Sequence, residues 1–437
     1  MRPSAYNVWA TYEGCRYVYN GMSGALLALP NDVAAIVEEG FDADRLRDHP
    51  LLDSLISAGV LIPDEMDEIS VLKARFEAGK SFPGHMAMTI ISSLGCNFDC
   101  PYCYEEKRPE LLTAGVESAI LSFVNYKIQH GLKRLKVHWL GGEPLLGRKK
   151  LLSLSASLRS ICNNVGAEYS SYVTTNGYLL TKPVAQELVE SGILRAQVTL
   201  DGPPATHDRM RPTRRGGGTF ERILQNIIDV TDIIPIVVRI NVDKENFSAI
   251  DELLDILAAH GLAGKIEIYV GHLVGVNDGA NQPSASYKAQ CFTTREFSST
   301  EKYFNDAAIQ RGFTSRVLDG PILTPCMAMR SSEYVVGSKG ELYKCWKSVG
   351  NRSEVVGNIV EFQNPNSRVR RWLGYDPFSD AECLRCVALP VCMGGCAHHA
   401  MDQNLFDDRC TTYRYHHEER VTQFIEHRQR HLANKSA

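Results

Sequence analysis

The hydrophobic pattern of the chain changes period near residue 85. Before it, Tyr6, Val8, Ala10 and Tyr12 alternate with other residues, the period of a half-buried strand, and residues 16–19 can pair back on them across a Glu13-Gly14 turn. Residues 25–29 form a third short apolar run. Two short helices are predicted, over 33–38 with Asn31 or Asp32 as cap and Gly40 as stop, and over 51–58 with Gly59 as stop. A short strand follows at 60–62, and the charged stretch 66–82 predicts a connecting helix. From residue 86 the order becomes strand, helix, strand, helix. Strands are predicted over 86–91, 135–140, 168–174, 195–200, 236–242 and 266–270. Helices are predicted over 116–128, with Thr113 as cap, and over 149–162, 183–191, 220–230 and 250–260.

Six strands alternating with helices imply parallel βαβ units in an α/β fold. Eight would close a barrel, so six predict an open, partial (β/α)6 TIM-like barrel whose flank can admit a substrate larger than a metabolite. Residues 207–218, rich in Arg and Gly, read as a mobile loop, either a lid over substrate or a solvated basic loop. Residues 271–297 read as a linker or substrate loop that carries Cys291.

A length of 437 residues suggests two or three domains, and 44% hydrophobic residues suffice for a full core. The net charge of −4 gives no reason to expect nucleic acid or an anionic membrane as partner. No run approaches ~18 apolar residues, and the N-terminus lacks the apolar stretch of a signal peptide, so the protein is expected in the cytoplasm. In that reducing compartment 13 cysteines are no disulfide framework. Ten of them cluster by position, which argues for metal and for more than one centre.

The first cluster follows the first barrel strand: Cys96, Cys100 and Cys103, spaced CxxxCxxC. So short a loop keeps its sulfurs close together, since each residue spans at most ~3.3–3.6 Å. Three converging thiolates can hold three irons of a cubane and leave the fourth iron open to a small chelating ligand. A CxxC alone also suits zinc or redox chemistry. Function in such barrels sits at the C-terminal ends of the strands. Those ends carry Gly141-Gly142-Glu143-Pro144, Thr174-Thr175-Asn176-Gly177 and Thr199-Leu200-Asp201-Gly202. In the fifth strand Arg239 is a cation among Val237, Val238 and Ile240, and a buried charge needs a partner.

The cysteine loop resembles that of the radical S-adenosylmethionine (SAM) enzymes, CxxxCxΦC with Φ aromatic. The resemblance implies that Cys96, Cys100 and Cys103 hold a 4Fe–4S cluster whose open iron chelates SAM, and that Tyr102 packs near the adenine. It further implies that Gly141, Gly142 and Glu143 meet the SAM amine, and that Arg239 meets the carboxylate. Thr175, Asn176, Thr199 and Asp201 would lie near the ribose and methionine.

The C-terminal cysteines resemble, one for one, the SPASM domain of peptide and protein maturases. They are Cys326, Cys345 within a GxxxxC hairpin, Cys383-x2-Cys386-x5-Cys392-x3-Cys396, and Cys410. That domain holds two auxiliary 4Fe–4S clusters. Its crossed ligation implies Cys326, Cys345 and Cys396 for the nearer cluster and Cys383, Cys386, Cys392 and Cys410 for the farther. Some members have a further cysteine just upstream of the first; residues 316–325 contain none. An open iron, Cys291 or a substrate group would then complete the nearer cluster. Sulfatase-maturing members place a catalytic Asp directly after the second SPASM cysteine; here that position is Trp346. CxxC pairs also suit tetrahedral zinc. Residues 1–84, strands followed by small helices, resemble the winged-helix-like leader-recognition element of peptide-modifying members.

The expected organisation is a module over 1–84, a radical SAM partial barrel over 85–310 and a SPASM domain over 311–437. The expected function is a maturase that installs a thioether or a carbon–carbon (cyclophane) cross-link in a ribosomally made precursor peptide. The expected cofactors are SAM and three 4Fe–4S clusters. The expected partners are the precursor's leader and core and an electron donor such as flavodoxin or ferredoxin. One alternative is sulfatase-maturase-like oxidation of a Cys or Ser in a protein; another, without catalysis, is a zinc- or cluster-stabilised binding protein.

Overall fold

Six strands lie side by side in chain order: His85–Ser93, Arg134–Gly141, Glu168–Thr175, Ala196–Thr199, Ile236–Val242 and Glu267–His272. Each neighbouring pair is parallel. The computed structural model describes residues 1–38, 41–82, 84–105, 107–274, 287, 290–315, 317–362 and 366–436. The helices Ala114–Gln129, Arg148–Asn164, Lys182–Glu190, Phe220–Val230 and Ile250–Ala259 connect the strands, with Thr113 Oγ1 accepting from Val116 N (3.3 Å) at the first of them. The partial barrel predicted from the hydrophobic pattern is the observed fold.

The two faces of the strands differ. Leu135, Val137, Trp139, Val173, Val198, Val238 and Ile240 are fully buried in the main hydrophobic core. The alternate positions Lys136, Ser170, Tyr172, Gln197 and Tyr269 line a hollow of about 1100 Å³ at the N-terminal ends of the strands, where Arg134, Glu168 and Glu267 also line it. This alternation places Arg239. Its chain neighbours Val238 and Ile240 take the opposite face, and Arg239 shares the inner face with Asn241.

The sheet does not close. Beyond the first barrel strand it continues through Tyr334–Val336, parallel, then Glu341–Tyr343 and Gly357–Asn358, antiparallel. The C-terminal cysteine region therefore grows out of the sheet beside the strand that leads into the first cysteine loop. The helix Thr294–Gln310, opened by a Thr293/Glu296 capping box, packs on the sixth strand.

The N-terminal strands Asn7–Tyr12 and Cys15–Asn20 pair as predicted, Leu26–Leu29 adds to the second of them, and Leu61–Ile62 pairs with Arg2–Pro3. The helices Asn31–Glu38 and Leu52–Ser57 were predicted; the short Ala43–Leu46 was not. The charged stretch forms the helix Glu68–Lys80. One face of this small sheet packs on its own helices through Val18, Val33 and Leu55. The other packs through Val8, Ala10 and Tyr19 on Val391, Tyr413, Val421 and Ile425 of the C-terminal region.

Two loop readings change. Residues 204–210 are a helix, Pro204–Met210, started by proline at its first position, and His207 and Arg211 are buried. Of residues 271–297, the sixth strand takes the start and the helix from Thr294 the end; 275–286 and 288–289 lie outside the described residues, as does Gly40. Among the described residues no helix is long and apolar enough to cross a membrane.

Val421 is fully buried against the first sheet. Val421→Asp buries a lone carboxylate there and is expected to cost more than about 3 kcal/mol. Residues 1–84 should then become the first segment cut in limited proteolysis read by mass spectrometry. An unchanged digestion pattern would count against this docking.

Candidate functional site

The loop carrying Cys96, Cys100 and Cys103 has no helix or strand of its own, and two buried hydrogen-bonded knots fix it. The first is built on the GGEP turn. Gly142 N donates to Ser93 O (3.0 Å) and Glu143 N to Gly95 O (2.8 Å). A Cβ on Gly142 would stand 2.6 Å from Gly95 O, so only glycine lets the two backbones approach this closely. Glu143 has no exposed surface. Its Oε1 accepts from Leu145 N (3.0 Å) and Thr175 Oγ1 (2.7 Å), and its Oε2 from Asn176 N (2.8 Å). Burial pushes this carboxyl's pKa up, and these bonds oppose the shift. Asn176 Nδ2 then reaches Asn97 Oδ1 in the cysteine loop (2.8 Å).

The second knot is built on Asp201, also fully buried. Oδ1 accepts from Asn241 N (2.8 Å); Oδ2 accepts from the Tyr102 hydroxyl and lies 3.5 Å from Arg211 Nη1. Arg211 Nη1 also donates to the Tyr102 oxygen, and Asn241 Nδ2 approaches it at 3.3 Å. Burial raises the Asp201 pKa, and the Arg211 charge is the strongest opposing cause. Asp201 N donates to His207 Nδ1 (3.1 Å), which leaves the His207 proton on Nε2, facing Thr219 Oγ1 (3.1 Å). Asn246 Nδ2 donates to Asp201 O (2.9 Å) and Asn241 O (2.8 Å).

Residues 211–214 clasp the cysteine loop from outside. Asp99 N donates to Pro212 O (2.9 Å), Arg214 N donates to Asn97 O (3.1 Å), and Phe98 bridges Thr213. The stretch read as a lid is thus a fixed strap on the loop. Arg211, Asn241, Asn246 and His207 were missed as site residues. Pro203-Pro204, a helix-start signal, was the clue that this stretch is ordered, and buried Asp201 called for a cation.

The predicted SAM contacts fall into these groups. Gly141, Gly142, Glu143, Thr175 and Asn176 belong to the first knot, and Tyr102 and Asp201 to the second. Thr199 ends the fourth strand, in register with Arg239. Arg239 Nε donates to Asn241 Oδ1 (2.7 Å), and a Cβ on Gly271 would stand 2.8 Å from Nη2, so glycine there makes room for the guanidinium. Among the described residues neither terminal amino group of Arg239 has a hydrogen-bond partner, which suits an incoming anion.

Burial pushes the Cys96 thiol up to about 11 and the Cys103 thiol up to about 12, and Cys100 raises both further. Neutral thiols of this kind release protons when metal binds. Among the described residues no three metal-type side chains converge on a single ion. A cubane spreads its thiolates over different irons, a wider spacing. Soft thiolate donors on one clasped loop, with a glycine-lined approach and an anion-ready arginine beside it, fit an iron–sulfur cluster with a small chelating ligand.

The C-terminal cysteines form two electrostatic neighbourhoods. Cys326 and Cys345 are each raised by burial and then by Cys396, and Cys345 also by Cys326. Cys383 feels Cys392 and Cys410, while Cys386 and Cys392 both feel Cys410. Tyr375, bonded to Gly394 O (2.6 Å), stands between the sets and feels Cys383, Cys392 and Cys396. Cys291 Sγ lies against Tyr287 O (3.7 Å), on the Tyr102 side.

Arg211→Met leaves the Asp201 charge buried without its cation and is expected to cost about 3–5 kcal/mol. Adding Asp201→Asn should recover part of that loss. Urea unfolding of the two variants checks this, and a neutral single variant would show that the knot is not structural.

Residues 90–257, from the first strand through the helix after the fifth, match the Radical SAM superfamily. The chain is similar to a probable GTP 3′,8-cyclase of Methanococcus aeolicus, 30% identical over 166 residues, which are 37% of this chain and 51% of that one. It thus spans about half the length of that relative. A serine-type anaerobic sulfatase-maturating enzyme of Klebsiella pneumoniae is 24% identical over 342 residues, 72% of this chain and 82% of that one. The fold is also that of Streptococcus suis SuiB, solved bound to precursor peptide SuiA, at 14% identity and TM-score 0.52, covering 94% of this chain and 99% of that one. The match to the Radical SAM superfamily thus takes in the cysteine loop and the strands that build both knots.

Proposed function

We propose that this protein is a radical SAM/SPASM maturase that installs a cross-link, a thioether or a carbon–carbon bond, in a ribosomally made precursor peptide. The observation that carries the reading is that the region holding the seven C-terminal cysteines extends the barrel sheet beside the strand that leads into the first cysteine loop. In this reading Cys96, Cys100 and Cys103 hold the SAM cluster. Cys326, Cys345 and Cys396 hold the nearer auxiliary cluster, with one iron left for a further ligand. Cys383, Cys386, Cys392 and Cys410 hold the farther cluster. When bound, SAM and its cluster supply a 5′-deoxyadenosyl radical that takes a hydrogen atom from an unactivated carbon.

The chain's own residues orient and enclose that chemistry. Arg239 offers its amino groups to the SAM carboxylate, the Glu143 knot sets the loop that meets the amine, and the Asp201 knot fixes Tyr102 beside the cysteines. Residues 1–84 take the leader peptide, residues 85–310 are the barrel and 311–437 the auxiliary-cluster domain. A flavodoxin or ferredoxin in the cytoplasm supplies electrons. Likeness to the Klebsiella sulfatase-maturating enzyme supports a second reading, oxidation of a Cys or Ser in a protein. Trp346 argues against it, because an indole in place of the family's carboxylate cannot accept the proton.

Anaerobic purification should give a brown protein with about twelve irons per chain, as three 4Fe–4S clusters require. Cys100→Ala should lose about a third of that iron and all SAM cleavage. Co-expression with a short precursor encoded beside it should give a peptide lighter by about two hydrogens per link. A colourless zinc protein without sulfide would refute the reading. Iron content unchanged by Cys291→Ala would remove that thiol as the ligand completing the nearer cluster.

A further inference from the structure

The strap over the cysteine loop carries charge that the two knots do not use. Residues 207–222 hold five arginines against Asp208 and Glu221, in a chain whose net charge is −4. Arg211 is buried beside Asp201, and Arg209 lies 3.9 Å from Glu245. The other three face outward. Thr213 N donates to Gly217 O (2.9 Å) and Gly216 N to Thr213 O (2.8 Å), a tight turn with Arg214 and Arg215 exposed at its tip. Gly216 takes φ +78°, the left-handed conformation that suits glycine in such a turn. Among the described residues neither Arg214 nor Arg215 has a side-chain partner. Arg222 is exposed as well, with its guanidinium 4.0 Å from the centre of the Tyr178 ring. Nearby acids are already engaged: Asp208 Oδ1 accepts from Thr219 N (2.7 Å) and Phe220 N (2.8 Å), and Asp99 pairs with Lys107 (3.1 Å).

This basic face stands directly on the cysteine loop. Arg214 N donates to Asn97 O (3.1 Å), one residue from Cys96. The half-buried Tyr178 meets the fully buried Phe98 edge-on, with centroids 5.6 Å apart. Phe98 N in turn donates to Cys96 Sγ (3.4 Å). Contacts therefore run without a break from Arg222 at the surface, through Tyr178 and Phe98, to a thiol of the loop. Gly216, Gly217 and Gly218, all exposed, have no side chains to hold a second surface away. Closeness to the thiols adds nothing for a partner that only tethers; it matters for one that passes an electron. Electron-transfer encounters are among the smallest protein contacts, and opposite charge brings the two surfaces together.

We propose that this face, with Arg214, Arg215 and Arg222 around the cysteine loop, docks an acidic one-electron carrier protein. The proposal rests on the maturase reading above and gives its electron donor a place on the chain. One electron leaves the reduced carrier, which is oxidised by one, and enters the cluster of the loop, which is reduced by one. The attraction acts between exposed charges, so salt weakens it.

The test uses the anaerobically reconstituted full chain with SAM and a purified acidic flavodoxin. Microscale thermophoresis reads the flavodoxin Kd at low and high salt. Formation of 5′-deoxyadenosine is followed with either reduced flavodoxin or dithionite, a small ion that needs no docking face. Arg215→Glu/Arg222→Glu should weaken flavodoxin binding about tenfold at low salt, slow flavodoxin-driven cleavage to match, and leave dithionite-driven cleavage within about twofold. Arg215→Glu alone, which breaks no contact of the fold, should weaken binding about threefold. It decides the matter if the double variant also loses dithionite-driven cleavage. Lys265→Glu makes the same charge change at an exposed position just before the sixth strand, at the other end of the barrel, and should alter neither readout. Binding by Arg215→Glu equal to the wild type overturns the proposal, as does an equal loss in Lys265→Glu. A wild type that cleaves SAM with dithionite yet binds no flavodoxin also overturns it. A wild type that cleaves no SAM with dithionite defeats the maturase reading itself.

Discussion

A carboxylate shut off from water must find donors for its oxygens, and this fold depends on two that do, Glu143 and Asp201. Each stands at the C-terminal end of a barrel strand, and each reaches the cysteine loop, through Asn176 and Asn97 in one case and through Tyr102 in the other. The loop is irregular backbone and has no rigidity of its own. Its shape is set by donors on the third, fourth and fifth strands and by the strap at residues 211–214. Such networks are all-or-none: fully paired they fix one geometry, and with a member removed they leave a buried charge uncompensated. In the maturase reading three thiols must meet one cluster, and that needs the first state.

The hollow follows from the same sheet. A closed eight-stranded barrel fills its centre with branched apolar side chains. Six strands leave a gap, and the inner face carries Lys136, Ser170, Tyr172 and Gln197 instead. The outer face packs the main core, which is why Val137, Val198 and Ile240 are completely buried, while Ile91 and Leu140 on the other face pack a smaller cluster with Val335 and Tyr343. Because the C-terminal region adds its strand to the first barrel strand, Met327 and Trp346, each next to a cysteine, are held against Thr89 and His138 of the inner face.

The six strands and the polar strand-end loops were legible in the sequence because both leave local marks, a run of apolar residues and then glycine or a short polar side chain. The ends of the helix at 220–230 and of the strand at 236–242 were read correctly for that reason. Arg211 was hidden because it sits in a stretch dense in arginine and glycine, the composition of a solvated loop, and only its long-range pairing with Asp201 buries it. Which face Arg239 takes was not legible from its chain neighbours, because Val238 and Ile240 point to the opposite face of the strand. The docking of Val8 and Tyr19 on Tyr413 and Val421 had no local signature, since it joins opposite ends of the chain.

In the maturase reading, charge has little part in drawing the peptide to this protein. The chain's net charge is only −4, and Arg134 and Arg195 beside the hollow are matched by Glu168 and Glu267. Long-range steering works through unbalanced fields, and there they are largely cancelled at contact distance. In that reading, selection of the peptide falls to shape and hydrogen bonds, interactions that act only after the substrate has arrived. A weak, short-range site of that kind works efficiently when a second site holds the substrate nearby and turns encounter into an intramolecular event. In the maturase reading the small N-terminal sheet is that second site. Its packing on the C-terminal cysteine region through Val8, Ala10 and Tyr19 is what gives such a tether a fixed distance to those cysteines.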